Sequence, residues 1–256
     1  MTLVEPAGAW IDQLRPVTLD ELDTAASLQE RIDRKYILTG EQLGALVEEL
    51  AGRLAVLEID GRRRAAYAST YFDTVDLESH RAAAHRRRHR WKVRTRTYLD
   101  TATTMLEVKT KGRRGRTVKR RRPHEAGSTV LGERGRRFVD ESTGIIGLGP
   151  RLVPALTTEY DRTTLADLDD IARLTVDARL RCTDRTGRSV VLRERVVVET
   201  KSPGAPSVAD RWLWAAGLRP QRISKFGTGL AALRPDLPSN KWHRTLTGHP
   251  WTELGG

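Results

Sequence analysis

The sequence predicts an α+β protein in which antiparallel strands close into a barrel with a charged interior and helices lie outside it. Two observations carry this. Ionic residues recur at alternate positions along seven or eight short segments of strand character, and these alternate with helical segments less regularly than a parallel fold requires. Closure gives each strand one inward face, which accommodates every stripe at once.

The clearest stripe lies at residues 91–111. In Trp91-Lys92-Val93-Arg94-Thr95-Arg96-Thr97-Tyr98, period two puts Lys92, Arg94 and Arg96 on one face. After a turn, Met105-Leu106-Glu107-Val108-Lys109-Thr110-Lys111 does the same for Glu107, Lys109 and Lys111. Trp91, Val93, Leu106 and Val108 take the opposite faces, so the apolar side is the covered one. A row of like charges at strand spacing repels itself, and a polyanion above it, helped by a carboxylate-bound metal, would remove that conflict. For this hairpin alone an ordinary solvated face is the better reading. Recurrence of the pattern is what argues for a site.

From the N-terminus, Thr18-Leu19-Asp20-Glu21 forms a capping-box signature, with Leu19, Leu22 and Ala26 at helical spacing behind it. Arg31-Ile32-Asp33-Arg34-Lys35-Tyr36-Ile37-Leu38 reads as a strand with Arg31, Asp33 and Lys35 on one face. Thr39-Gly40-Glu41-Gln42 opens a helix whose apolar face is Leu43, Leu46, Val47 and Leu50, ending near Gly52. Residues 65–73 read as a strand, and Asp73-Thr74 as the start of a short helix. His85 and His89 stand four apart, but the arginines between them oppose a cation and no third ligand is near, so 85–90 reads as an exposed basic turn that steers anions. Residues 112–116 read as a glycine-rich turn, followed by a strand over 117–122 with Lys119 and Arg121 on one face. The chain has no Gly-x-x-x-x-Gly-Lys-Ser/Thr loop here.

Residues 128–146 have weak helical character. The strand at 155–162 aligns Tyr160 with Arg162, that at 174–180 aligns Asp177 with Arg179, and that at 196–201 aligns Glu199 with Lys201. Ser207 caps a helix containing Trp212, Leu213 and Trp214 that ends at Gly217. Residues 222–229, with Arg222, Ser224 and Lys225, lead into a small helix stopped by Pro235. The tail from 238 to 256, with Trp242 and Trp251, has turn chemistry without periodicity and is expected to order only by docking.

Forty-five Lys and Arg against 33 Asp and Glu give a formal charge of +12, which calls for an anionic partner: nucleic acid, phosphate-rich molecules or an acidic membrane surface. The single cysteine, Cys182, excludes an internal disulfide. The N-terminus lacks a signal-peptide layout, and no apolar run approaches the ~18 residues of a membrane helix, so a soluble cytoplasmic protein is expected.

The segments 92–98 and 106–111, Arg31-x-Asp33-x-Lys35-Tyr36, Tyr71-Phe72-Asp73-Thr74, Tyr160-x-Arg162, Val198-Glu199-Thr200-Lys201 and Ser224-Lys225-Phe226 together resemble the catalytic domain of the vacuolar transporter chaperone (VTC) polyphosphate polymerases, within the triphosphate tunnel metalloenzymes. The likeness runs from about residue 30 to 235, which leaves a helical N-terminal segment over 1–29 and a tail over 236–256. The resemblance implies an antiparallel eight-stranded tunnel whose basic walls hold triphosphate or polyphosphate. It assigns phosphate-binding and catalytic roles to Lys35, Arg94, Arg96, Lys109, Lys119, Arg162 and Lys225. Further substrate contacts fall on Arg31, Lys92, Lys111, Tyr160, Arg179, Lys201, Arg222 and Ser224. It places the divalent metal, Mn²⁺ or Mg²⁺, on Glu199; Glu107 and Asp177 are secondary candidates for that role from their own carboxylates. Arg222 and Phe226 depart from the family's usual lysine and tyrosine. The phosphoinositide-binding and membrane-spanning modules of the eukaryotic complex are not seen in the sequence, so an isolated tunnel domain is expected, with a separate membrane-protein partner holding it at the inner face of the membrane.

Phosphoryl transfer needs positioning and charge neutralisation more than covalent catalysis, so a cage of guanidinium and ammonium groups with a divalent metal suffices. The leading expectation is transfer of the terminal phosphate of ATP or another nucleoside triphosphate onto polyphosphate. Hydrolysis of tripolyphosphate or a nucleoside triphosphate uses the same cage, and pyrophosphate fits it as well. A non-enzymatic nucleic-acid- or polyphosphate-binding module is the alternative from another class. Against stable nucleic-acid binding stand the inward placement of the charges and the absence of an interleaved aromatic platform.

Overall fold

The computed structural model describes residues 10–25, 32–111, 117–126, 128–167, 169 and 171–254. Arg31 and the 112–116 turn lie outside the described residues. The chain begins with α1 (Trp10–Gln13), β1 (Arg15–Val17), α2 (Leu19–Ala25), β2 (Ile32–Leu38), α3 (Gly40–Glu49), β3 (Leu54–Leu57), β4 (Ala65–Asp73) and α4 (Glu78–Ala84). It continues through β5 (Arg90–Tyr98), β6 (Thr103–Lys111), β7 (Thr117–His124), α5 (Glu133–Thr143), α6 (Leu148–Arg151), β8 (Val153–Asp167) and β9 (Ala172–Asp184). It closes with β10 (Ser189–Leu192), β11 (Val196–Ser202), α7 (Val208–Ala215), α8 (Lys225–Leu233), α9 (His243–Gly248) and β12 (Trp251–Leu254).

Two compact units result. The first comprises Met1–Ala65, Tyr160–Leu180 and Leu192–Arg222. Its central register pairs β11 with β2 on one side, Glu199 opposite Lys35 and Lys201 opposite Asp33, and with β9 on the other, Val197 opposite Asp177 and Glu199 opposite Thr175, both antiparallel. One face of these strands carries Tyr36, Leu38, Leu174, Val176, Val196 and Val198 into a core shared with Leu43, Leu46 and Val47 of α3 and Leu213 of α7. The apolar period of α3 and its Thr39–Gln42 capping box are therefore as the sequence predicts. Ser207 caps α7 in the same way through Asp210, whose buried carboxylate also accepts from Tyr36 Oη at 2.6 Å and Thr200 Oγ1 at 2.7 Å.

The second unit comprises Ala66–Glu159, Arg181–Val191 and Ile223–Gly256. β4, β5, β6 and β7 form an antiparallel meander in sequence order. Phe72, Val93, Leu106 and Val108 project from one side to pack with Leu131, Val139, Leu148 and Leu152, so α5 and α6 cover the apolar face. Gly149 permits this packing, since a Cβ there would overlap the Arg136 backbone.

Closure is the part of the barrel expectation that the described pairings do not reproduce. Among the described residues twelve strands pair in an open order with β7 at an edge, lined by Arg120, Arg122 and Pro123, residue types that discourage further strand addition. The helix expected at Asp73-Thr74 starts later, at Glu78 after Leu77 in the left-handed region, yet the Asp73 carboxylate still accepts from Ser79 N and His80 N, each at 2.9 Å. No helix among the described residues is long and apolar enough to cross a membrane.

Candidate functional site

In the first unit the ionic residues stand on the sheet face opposite the core. Lys35 Nζ lies 3.1 Å from Glu199 Oε2, and Lys201 Nζ lies 3.6 Å from Glu199 Oε1 and donates to Thr175 Oγ1 at 3.3 Å. Arg162 grips Asp177 with two parallel bonds of 2.6 and 2.8 Å, and its guanidinium lies 5.4 Å over the Tyr160 ring. This fork geometry fixes the guanidinium plane. Burial favours neutral forms throughout, but the neighbouring charges prevail at Glu199, which Lys35, Lys201 and Arg162 hold well below the usual carboxylate range. At Lys35 the same contest ends with the ammonium raised, chiefly by Glu199. Lys201 goes the other way: burial outweighs Glu199 and brings it down to about 8.

In the second unit the face opposite the α5 core carries the long stripe. The β5–β6 register sets Lys92 opposite Lys109 and Arg94 opposite Glu107, and the β6–β7 register sets Lys109 opposite Lys119 and Glu107 opposite Arg121. Glu107, 3% exposed, receives Arg94 Nε at 2.7 Å on one oxygen and Lys119 on the other. Burial alone would raise its pKa, yet Arg94, Arg96 and Lys119 hold it down at about 2. Tyr71 and Tyr67 of β4 support the arginines: Arg94 Nη1 donates to Tyr71 Oη at 2.9 Å, and Arg96 lies 5.4 Å over the Tyr67 ring. Among the described residues the buried Nε of Arg96 has no hydrogen-bond partner, so it keeps its donor capacity. Lys92 Nζ donates to Ser224 Oγ at 2.7 Å, which brings the start of α8, with Lys225 as its first residue, beside the stripe.

The structure thus gathers Lys35, Tyr160, Arg162, Glu199 and Lys201 in one unit. In the other it gathers Lys92, Arg94, Arg96, Glu107, Lys109, Lys119 and Ser224, with Lys111 and Lys225 on the same elements. Arg179 departs from the predicted stripe: its φ of 54° breaks the alternation that would put it beside Asp177, and it is exposed and ion-paired with Asp161. Arg222 is exposed. His85 ends a helix and His89 sits in a bend, both exposed, so they share no helical face. Tyr67 and Tyr71 received no site role from the sequence, although Tyr71 stands in one of the family-like motifs and period two through 65–73 places both on one face with Ser69.

Residues 30–234 match the family described as the VTC domain. The chain belongs to the VTC domain family. This VTC domain is similar in fold to a candidate adenylyl cyclase from Hippeastrum described as having a dominant triphosphatase activity, with a TM-score of 0.51, 16% identity, and coverage of 83% of this chain and 100% of that one. A Pyrococcus horikoshii protein aligns at a TM-score of 0.38 and 11% identity over 73% of this chain and 88% of its own. A conserved hypothetical protein of Pyrococcus furiosus aligns at 0.40 and 11% over 77% and 99%. None of the curated proteins matches the sequence. The shared fold is the α+β tunnel fold with a mostly antiparallel sheet.

The donor chemistry bears on the expected metal. Among the described residues no three His, Cys, Asp or Glu side chains gather into a protein-only cage. Glu199 fits Mg²⁺ or Mn²⁺ in the other mode, in which one or two carboxylates bind and phosphate oxygens and water complete the shell. Its lysine contacts, at 3.1 and 3.6 Å, are longer than charge-assisted hydrogen bonds of ~2.7–2.9 Å, so its oxygens keep acceptor capacity. Glu107 fits less well, because Arg94 and Lys119 already grip both of its oxygens.

Proposed function

We propose that this VTC domain carries out metal-dependent phosphoryl transfer on triphosphate and polyphosphate, and that its reaction is polyphosphate synthesis from a nucleoside triphosphate such as ATP. The observation that carries the reading is the stripe of Lys92, Arg94, Arg96, Lys109 and Lys119 around the buried carboxylate of Glu107, a surplus of cations on one sheet face that leaves Lys109 and Lys119 open to solvent. Polyphosphate is the ligand chemistry that needs a row of cations at strand spacing.

Arg96, over Tyr67, binds and orients non-bridging oxygens through its Nε, and Arg94, over Tyr71 and held in plane by Glu107, adds its positive charge beside them. In the first unit Lys35, Lys201, Arg162 and Arg222 are the phosphate contacts of this reading, and in the second Lys109, Lys111, Lys225 and Ser224 add to the stripe. Glu199 would hold Mn²⁺ or Mg²⁺, and the bound ion would neutralise charge developing on the transferred phosphate. Lys35 and Lys201 keep Glu199 ionised and therefore ready for a cation.

Hydrolysis is the second reading, favoured by the triphosphatase activity ascribed to the Hippeastrum protein. A nucleic-acid-binding module is disfavoured because Tyr67, Tyr71 and Tyr160 lie against arginines rather than forming an open platform for bases. A cytoplasmic location, with a membrane-protein partner, accords with this reading. Incubation with ATP and Mn²⁺, followed by a gel for long polyphosphate and an assay for free phosphate, tests it. Long chains support synthesis, free phosphate alone supports hydrolysis, and neither product contradicts both.

A further inference from the structure

The matched family segment ends at residue 234, and the chain beyond it folds back onto α8. Trp242, 1% exposed, lies against the first turn of that helix so closely that a Cβ on Gly227 would overlap its ring. The same ring packs with Ala83 and Ala84 of α4 and lies 5.3 Å from the His80 ring. His80 Nε2 is 3.2 Å from Pro238 O, and β12 further along the tail joins β10, with Arg188 bonding Glu253 at 2.8 and 2.9 Å. The docking is thus specific and anchored at several points.

What this docking fixes is the turn that carries Ser224 and Lys225. Phe226, buried between the two sides, stacks on Tyr71 at 5.1 Å and meets the His80 ring edge-on at 6.1 Å. Tyr71 holds Arg94, and Ser224 accepts from Lys92 while its Oγ also caps Gly227 N at 3.2 Å. A packed path therefore runs from Trp242 through Gly227 and Phe226 to two cations of the stripe. Packed interiors transmit such displacements rather than absorbing them.

We infer that the C-terminal segment over residues 237–247 is a positioning element for the anion-binding face, with Trp242 as the residue that sets Ser224 and Lys225 against Lys92 and, through Phe226 and Tyr71, sets Arg94. Trp242 touches no substrate. The inference rests on the phosphate-binding reading of the stripe, and the test separates the two.

Tripolyphosphate affinity is measured by calorimetry for the full chain and for Trp242→Ala, Trp242→Phe and Trp251→Ala, each checked for folding by circular dichroism and thermal melting. Wild-type protein binds; Trp242→Ala stays folded and binds about tenfold more weakly, within the usual range of site-to-site coupling. Trp242→Phe recovers most of that affinity, and Trp251→Ala, in the same tail but in β12, keeps it. A purely structural role lowers the melting temperature without moving affinity. Coupling is reciprocal, so saturating tripolyphosphate slows hydrogen exchange of the wild-type amides of Trp242 and Leu246, a measurement that needs no variant. Wild-type affinity in folded Trp242→Ala, or unchanged exchange, overturns the inference alone. Failure of the wild-type chain to bind tripolyphosphate overturns the functional reading and the inference with it.

Discussion

Replacing Glu107 by glutamine keeps the side-chain shape and removes the charge at the centre of the β5–β6–β7 face. In the folded protein Arg94, Arg96 and Lys119 hold this carboxyl at about 2 against an ordinary value of 4.5, despite a burial that pushes the other way. A depressed carboxylate pKa contributes stability that is present above about 4.5 and is lost as pH falls towards 2. The difference, at ~1.36 kcal/mol per pKa unit, is worth about 3 kcal/mol at neutral pH. Glu107→Gln should therefore lose about 3 kcal/mol at pH 7, and the gap to wild type should shrink to about 1 kcal/mol near pH 3. Urea unfolding followed by tryptophan fluorescence at the two pH values reads both quantities. Tripolyphosphate should bind the variant at least as tightly, because Arg94 and Lys119 are released from an internal anion. A loss below about 1 kcal/mol at pH 7, or one independent of pH, refutes the claim that this carboxylate holds the cation stripe together.

Other outcomes follow from the same geometry. Arg94→Ala should weaken tripolyphosphate binding about ten- to a hundredfold, since a charge-assisted bond is worth ~1.5–3 kcal/mol. Arg87→Ala, in the exposed turn, should change it far less and mainly at low salt; the reverse order, with duplex DNA outcompeting tripolyphosphate, would favour a nucleic-acid-binding module. Glu199→Gln should abolish Mn²⁺-dependent turnover while the circular dichroism spectrum stays unchanged, and wild-type turnover would remove Glu199 as a metal ligand. Gly149→Ala should destabilise the second unit by about 1–3 kcal/mol through overlap with the Arg136 backbone. Its tripolyphosphate affinity should hold, which thermal melting and calorimetry together would check.

The sequence was legible wherever the signal was local. Period two placed Lys92, Arg94 and Arg96 on one face and Glu107, Lys109 and Lys111 on the next, because side-chain alternation follows directly from the pleat. The caps at Thr39 and Ser207 were equally readable, since each box lies within four residues. What escaped depends on distant pairing. Nothing local brings Glu199 beside Lys35 or places Asp177 in the fork of Arg162; those contacts follow from strand neighbours far apart in the chain. Arg179 misled because a single left-handed residue reverses the alternation, and an arginine gives no local hint of it. The strands at 54–57 and 189–192 are short buried runs with no alternation to detect. The turn-rich tail carries no periodicity that shows whether it docks, and Trp242 as its anchor required the Gly227 surface to be seen.

The proposal common to both readings is that this chain moves the γ-phosphate of a nucleoside triphosphate to a phosphate chain or to water, using its own cations and a metal on Glu199. Phosphorus-31 NMR of ATP with Mg²⁺ and enzyme follows this directly, with the Glu199→Gln variant as the comparison. The γ-phosphate resonance should be lost only with the wild-type chain, replaced by the signal of internal chain phosphates or of orthophosphate. An ATP spectrum unchanged by the wild-type chain, or consumed equally by Glu199→Gln, would contradict it.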